Sequence, residues 1–129
     1  AEVLEPQITA VGGLTMGADP IAVATAAVAA AEGRPLRAFS VRKEAKDHGT
    51  GGRIVGPVGT DDVVAVLEDT TTTGSAMFEA MEALVEAGIS VAQVITLVDR
   101  SSGVAAGKAR AVGVPYVALV TPSDLGVSD

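Results

Sequence analysis

Five short apolar runs, rich in valine, recur along the chain and constrain its fold more than any other feature. They are Ile8 to Gly12, Leu36 to Val41, Val63 to Leu67, Val91 to Val98 and Tyr116 to Val120. Most are apolar at odd and even positions alike, which is typical of parallel strands covered by helices on both faces. Segments with helical signals separate them. The sequence therefore predicts an α/β fold, an open and mainly parallel sheet of about five strands flanked by helices.

The helical segments have recognisable ends. Asp19 followed by Pro20 predicts a helix start with Asp19 as the N-cap, and this Ala-rich helix should end near Glu32. A second helix is expected before Gly88, and a third over Ser101 to Val112. The second helix has one apolar face, made of Met77, Ala80, Met81 and Leu84.

Composition limits the function classes. A chain of 129 residues that is 48% hydrophobic is expected to form one domain over residues 1–129. It has no cysteine and a single histidine, His48, which excludes disulfides, thiolate metal sites and His-cluster zinc sites. The longest apolar run, Pro20 to Ala31, is too short to span a membrane. It also lacks the basic region of a signal peptide before it, so we expect no membrane partner. The absence of cysteine indicates a cytoplasmic protein, and the net charge of −7 argues against nucleic-acid partners.

The few basic residues are concentrated in one window. Arg42, Lys43, Lys46 and Arg53 are four of the nine lysines and arginines. They lie within VRKEAKDHGTGGRIVG, a polar, glycine-rich stretch that predicts a mobile loop over about residues 42–56. Composition alone leaves two interpretations open, a solvated charged loop or a functional lid. The excess of cations favours a lid that receives an anion.

A second polar motif, EDTTTTGSA, follows the third predicted strand at residues 68–76. A strand-to-helix turn leaves backbone N–H groups free to bind an anion, and threonine hydroxyls add donors. Glu68 and Asp69 would repel that anion, so sugar hydroxyls or a hydrated Mg²⁺ would suit them better. Ribose 5-phosphate satisfies both halves of the motif. The alternative is a solvated strand end with a capping run, but consecutive β-branched residues are poor turn formers.

Other nucleotide and hydrolase motifs are missing. GGLTMGAD, residues 12–19, has the glycine spacing of a Walker A loop but lacks its lysine and its serine or threonine. No GxGxxG follows any predicted strand, and no GxSxG is present. Kinase, Rossmann dehydrogenase and hydrolase functions therefore lose their main support.

These motifs resemble those of a known family. VVAVLEDTTTTGSA, residues 63–76, resembles the phosphoribosyl pyrophosphate (PRPP) motif of type I phosphoribosyltransferases. RKEAKDHGTGG, residues 42–52, is very similar to the catalytic loop of the orotate phosphoribosyltransferases, a far more particular motif. GGLTMGADPIA and LVDR match in order and spacing, so the resemblance covers nearly the whole chain from Ile8 onward.

The resemblance implies the type I phosphoribosyltransferase fold and transfer of ribose 5-phosphate from PRPP to orotate, which yields orotidine 5′-monophosphate in pyrimidine biosynthesis. It implies Mg²⁺ as cofactor and a homodimer in which the loop reaches the neighbouring subunit's site. Glu68 and Asp69 would hold the ribose hydroxyls and, indirectly, the metal. The implied 5′-phosphate site is Thr70, Thr71, Thr72, Thr73, Gly74, Ser75 and Ala76. Four residues of the loop would close over the pyrophosphate: Arg42, Lys43, Lys46 and His48.

The resemblance also implies more specific roles. The implied catalytic residues are Lys46, His48 and Asp69, and the implied orotate contacts are Arg100 and Thr72. The implied pyrophosphate loop is Thr15, Met16 and Gly17. Many relatives have a lysine where Gly17 stands, so backbone and hydroxyl contacts are expected here. The chain starts at Ala1, so we expect the family's N-terminal segment, which covers the base, to be lacking.

Two alternatives stay open at the level of sequence, besides a truncated domain that binds PRPP and turns over poorly. One is a phosphoribosyltransferase for another base, against which the loop RKEAKDHG argues. The other is a noncatalytic, PRPP-sensing regulatory module, which would have no need of Lys46 and His48.

Overall fold

A six-stranded sheet with helices on both faces forms the fold. The computed structural model describes residues 4–14, 17–42, 53–101 and 103–120. Its elements in chain order are β1 Ala10–Leu14, α1 Asp19–Ala31, β2 Arg37–Val41, β3 Ile54–Val55, β4 Val63–Thr71, α2 Ser75–Glu86, β5 Ser90–Asp99, α3 Val104–Ala111 and β6 Tyr116–Val120. In the described part of the chain, none of these helices is both long and apolar enough to cross a membrane.

The strand order is β3-β2-β1-β4-β5-β6, and every pair except β2–β3 is parallel. The order reverses between β1 and β4, because the chain builds outward from β1 on one side and from β4 on the other. In open α/β sheets, such a reversal leaves a crevice at the carboxyl ends of the two strands. The prediction of a mainly parallel α/β sheet is confirmed.

Two apolar cores hold the layers together. One lies between the sheet and helices α2 and α3, and the other between the sheet and α1. Two glycines in β1 let the central strands approach closely. A Cβ at Gly12 would lie 2.3 Å from the Phe39 carbonyl oxygen, and one at Gly13 would lie 2.1 Å from the Leu67 carbonyl oxygen. Atoms at these distances would overlap, so β1 needs glycine at both positions.

The structure corrects several boundaries. Helix α1 begins at Asp19 with Ala18 as its N-cap, so the N-cap prediction for Asp19 is wrong. The Asp19 carboxylate instead accepts a hydrogen bond of 2.9 Å from the Ser40 hydroxyl at the end of β2. Strand β3 lies within the segment predicted as a loop, where it pairs antiparallel with β2. A strand of two residues is too short to show any periodicity.

Strand β4 is longer than its apolar run predicts. The run ends at Leu67, but β4 continues through Thr71. The extension pairs with β5 in register, Glu68 with Thr96 and Thr71 with Asp99. Backbone hydrogen bonds to β5 therefore hold the first half of the EDTTTTGSA motif in an extended conformation.

Candidate active site

The crevice at the strand reversal brings together two of the predicted loops. Gly17 follows β1, and Asp69 lies near the end of β4. A Cβ at Gly17 would lie only 3.0 Å from Asp69 Oδ1, so the carboxylate packs directly against the Gly17 backbone. The contact joins the described end of the predicted pyrophosphate loop to the predicted ribose-binding carboxylates.

The two carboxylates of the motif have different environments. Side chains alternate along a strand, and Glu68 is only 6% exposed whereas Asp69 is exposed. Burial, reinforced by the neighbouring Asp69 carboxylate, raises the pKa of Glu68 to about 7. Glu68 Oε1 accepts a hydrogen bond of 3.2 Å from the Asp69 N–H. Asp69 is therefore the carboxylate presented to solvent, and Glu68 is a buried acid that ionises near neutral pH.

The threonine run forms a tight turn into α2. The Thr71 hydroxyl accepts a hydrogen bond of 2.8 Å from the Gly74 N–H, and Gly74 has a φ of 81° that favours glycine. Thr73 Oγ1 lies 2.9 Å from the Ser75 hydroxyl and accepts from the Ser75 N–H at 3.3 Å. Two of the predicted phosphate-binding hydroxyls, those of Thr71 and Thr73, are thus engaged in shaping the turn.

Other donors of the turn are free. Within the described residues, the backbone N–H groups of Thr72 and Thr73 make no hydrogen bond. Both residues are exposed and lie just before the first turn of α2, where the helix dipole favours an anion. This geometry suits the phosphate site predicted over Thr70 to Ala76, with more of the binding assigned to the backbone than the sequence suggested.

Lys108 of α3 adds a contact that the sequence did not predict. Its Nζ donates a hydrogen bond of 2.7 Å to the Thr73 carbonyl oxygen and lies 5.9 Å from the centre of the Phe78 ring. The Thr73 carbonyl is thereby held toward α3. Lys108 lies in a separate predicted helix, so no local pattern links it to the threonine turn.

Arg100 and Thr72 lie side by side at the carboxyl edge. They follow Asp99 and Thr71, which are partners in the β4–β5 register. The Arg100 N–H donates a hydrogen bond of 2.8 Å to the Thr71 carbonyl oxygen. Arg100 is exposed, and its guanidinium has no ion-pair partner among the described residues. The structure therefore juxtaposes the two residues predicted to bind orotate.

The described residues close the base of the predicted catalytic loop. The Arg42 N–H donates to the Arg53 carbonyl oxygen at 2.6 Å, and Arg53 Nε donates to the Arg42 carbonyl oxygen at 2.9 Å. Arg53 also forms an ion pair of 3.7 Å with Glu79 of α2. The other predicted residues of this loop and of the pyrophosphate loop lie outside the described residues: Lys43, Lys46, His48, Thr15 and Met16.

The described residues do not by themselves form a metal centre. No group of three or more histidine, cysteine, aspartate or glutamate side chains in residues 4–14, 17–42, 53–101 and 103–120 is placed to hold a metal ion. Mg²⁺ keeps several waters and substrate oxygens when it is bound by one or two carboxylates. The exposed Asp69 carboxylate fits that kind of indirect site, whereas Glu68, the residue before it in sequence, is buried on the other side of the strand.

The sheet topology, the crevice and the turn after β4 define the type I phosphoribosyltransferase fold. Solved structures of this class have the same fold. A phosphoribosyltransferase from Corynebacterium diphtheriae is 48% identical, with a TM-score of 0.81. The match covers 93% of this chain and 68% of the Corynebacterium diphtheriae chain. Orotate phosphoribosyltransferase of Mycobacterium tuberculosis in complex with PRPP is 41% identical, with a TM-score of 0.80, over 95% of this chain and 68% of its own.

Sequence relatives show which family of phosphoribosyltransferases the chain belongs to. No protein-family model matches the chain. Orotate phosphoribosyltransferase from Corynebacterium glutamicum (strain R) is 53% identical over 119 residues, which are 92% of this chain and 62% of the relative. This chain therefore spans less than two thirds of that relative's length. The chain belongs to the orotate phosphoribosyltransferase family.

Proposed function

We propose that the protein transfers ribose 5-phosphate from PRPP to N1 of orotate and releases pyrophosphate. The C1–O bond to pyrophosphate breaks, and pyrophosphate leaves with the electron pair. The N1–C1 bond forms with the electron pair of the orotate nitrogen, and the N1 proton is released to solvent or to the departing pyrophosphate, which gives orotidine 5′-monophosphate. The observation that carries the proposal is the meeting of three features at one crevice, namely the Gly17–Asp69 contact, the threonine turn and the Thr72–Arg100 pair.

The arrangement of charges supports this assignment. The free N–H groups of Thr72 and Thr73 would bind the 5′-phosphate, and exposed Asp69 would accept from the ribose hydroxyls. Beside them, the exposed Arg100 guanidinium would pair with the carboxylate of orotate. Thr70 and Thr71, the last residues of β4, separate Asp69 from the turn, so the proposed diol site and phosphate site are distinct.

Charge placement is what the reaction requires of the protein. Loss of pyrophosphate leaves a ribosyl centre with oxocarbenium character, so cations that follow the leaving group stabilise the transition state preferentially. The residues proposed for this role by family resemblance are Arg42, Lys43, Lys46 and His48. Lys46 and His48 would act as electrostatic partners or as proton donors to the leaving group. Closure of the loop would also exclude water from PRPP.

Mg²⁺ is the proposed cofactor. Glu68 and Asp69 would hold it through water or through PRPP oxygens, and it would offset the negative charge of the pyrophosphate. Because the pKa of Glu68 is about 7, this role also requires Glu68 to lose its proton at neutral pH.

We also propose that the protein is a homodimer and that it acts in the cytoplasm. The basis for the dimer is the family resemblance, in which the loop of one subunit reaches the site of the other. Sedimentation equilibrium is expected to give the mass of two chains, and a stable monomer with full activity would contradict the dimer.

The test is an assay of base specificity. Orotate absorbance is expected to fall when the protein is mixed with PRPP and Mg²⁺, and adenine, hypoxanthine or uracil should not replace orotate. Consumption of another base instead would favour a phosphoribosyltransferase of different specificity. If no base is consumed while calorimetry shows PRPP binding, the PRPP-sensing module is the better interpretation.

A further inference from the structure

We propose that Tyr116 and Asp99 are positioning residues, which hold the turn after β5 so that Arg100 faces the carboxylate of orotate. The inference rests on the proposed function, since it concerns how the proposed orotate site is built. Neither residue is among the predicted site residues.

Asp99 is the centre of a buried hydrogen-bond network. It is only 7% exposed, and both of its carboxylate oxygens are engaged. Oδ1 accepts from the Ser101 N–H at 2.7 Å and from the Ser101 hydroxyl at 2.6 Å, while Oδ2 accepts from the Tyr116 hydroxyl at 2.7 Å. Ser101 Oγ in turn accepts from the Ala105 N–H at 3.0 Å, at the start of α3. One carboxylate thus joins β5, α3 and β6.

This network fixes the backbone on both sides of Arg100. Its chain neighbours on both sides, Asp99 and Ser101, are fixed by the carboxylate bonds, and its own N–H donates to Thr71 at 2.8 Å. The backbone of Arg100 is therefore held from three directions, while its side chain is exposed at the carboxyl edge of the sheet. A site of this kind works by preorganisation, because less freedom is lost when the ligand binds.

Tyr116 is suited to hold Asp99 from the neighbouring strand β6. It is the only tyrosine of the chain and lies half-buried at the start of β6. Burial and the negative charges of Asp99 and Glu68 raise the pKa of Tyr116, so its hydroxyl remains a donor. Burial alone would raise the pKa of Asp99, but the hydrogen bonds from Ser101 and Tyr116 outweigh it and lower that pKa. The pair therefore keeps one protonation pattern, with tyrosine as donor and aspartate as acceptor.

The experiment replaces Tyr116→Phe, which removes the hydroxyl and keeps the ring. The KM for orotate is expected to rise about tenfold, as for loss of one hydrogen bond to a charged group, while PRPP affinity by calorimetry changes less than about twofold. In an Arg100→Ala background, Tyr116→Phe should add almost nothing to the orotate KM, because its effect passes through Arg100. A merely structural role would weaken both substrates and would add to the Arg100→Ala effect.

Thr9→Val is the matched control. It removes a hydroxyl that donates at 2.8 Å to another buried carboxylate, Asp62, and that also hydrogen-bonds the Val63 backbone, at the opposite edge of the sheet. It should lower stability without changing the orotate KM. If Tyr116→Phe does not fold, Asp99→Asn is judged by the same comparison of orotate KM with PRPP affinity.

The outcomes separate the two proposals. A wild-type protein that consumes no orotate overturns the proposed function and the positioning role with it. A wild-type protein that consumes orotate, combined with an unchanged orotate KM in folded Tyr116→Phe, overturns only the positioning role. Equal losses for orotate and PRPP overturn it as well.

Discussion

Glu68 shows how burial changes the chemistry of a single site residue. The sequence places two carboxylates side by side after an apolar run, and nothing in it distinguishes them. In the fold, β4 continues past them, so one is buried and the other faces the crevice. The type of residue could be predicted from sequence, but the difference in acidity depends on the strand pairing that buries Glu68.

Glu68→Gln should change how stability depends on pH. The ordinary pKa of 4.5 applies to the unfolded chain, and the pKa of about 7 to the folded one, so the folded protein binds this proton more tightly. The wild type is therefore stabilised by this group below about pH 4.5 and should lose roughly 2 to 3 kcal/mol as pH rises through 7. Urea unfolding at about pH 5 and about pH 8 measures this, and the Gln variant should lack that part of the decline.

Asp69→Asn is the companion variant for that measurement. The Asp69 carboxylate adds to the raised pKa of Glu68, so its replacement should reduce the wild-type decline only in part, because Glu68 stays buried. If wild type and Glu68→Gln lose the same stability between the two pH values, Glu68 does not titrate as the structure indicates.

Gly17→Ala tests the contact between the two loops. The added Cβ would lie 3.0 Å from Asp69 Oδ1, so the carboxylate must shift by a few tenths of an ångström. PRPP affinity is expected to fall by about threefold, since the shifted carboxylate would meet the ribose hydroxyls less well. Calorimetry with PRPP and Mg²⁺ measures the change. Gly107→Ala, with open space around its Cβ, should leave PRPP affinity unaltered. Equal affinities for the Gly17 variant and the wild type would rule out a site at this contact.

At the scale of elements, the valine-rich runs predicted five strands because buried strands need apolar residues on both faces. They could not predict where β4 ends, since the polar residues from Glu68 to Thr71 are held by pairing with β5. Nor could they reveal β3, whose two residues depend on the adjacent β2. The contact of Lys108 with the threonine turn depends on how α3 packs, which no local pattern encodes.

Lys108→Met should weaken phosphate binding through the turn. The methionine keeps the length of the side chain but cannot donate to the Thr73 carbonyl, which Lys108 holds at 2.7 Å. We expect PRPP affinity to fall by about threefold to tenfold, with the orotate KM nearly unchanged, because an exposed hydrogen bond contributes only modestly. Titration calorimetry with PRPP and steady-state kinetics with orotate measure the two effects.

Arg110→Met is the control on the same helix. Arg110 is exposed and in the described residues makes no ion pair or side-chain hydrogen bond, so its loss removes a similar charge without touching the turn. Equal effects of the two substitutions would indicate general electrostatics in place of the specific contact.

At the scale of the whole molecule, the fold and the family can be predicted from the sequence. The proposed catalysis depends in addition on how the fold arranges several groups in space. The carboxyl edge of the sheet gathers a phosphate turn and an exposed carboxylate at the end of β4, and an exposed guanidinium after β5. Sequence motifs predicted each of these groups separately. Their meeting at one crevice follows from the parallel strand order, which places the ends of β1, β4 and β5 at one edge.

The stoichiometry of the reaction tests the central claim most directly. Purified protein is mixed with orotate, PRPP and Mg²⁺, and orotate, orotidine 5′-monophosphate and pyrophosphate are all quantified over time. We predict that each orotate consumed yields one orotidine 5′-monophosphate and one pyrophosphate, and that Arg100→Ala slows both products together. Pyrophosphate released without orotidine 5′-monophosphate, or no turnover despite PRPP binding, would contradict the account.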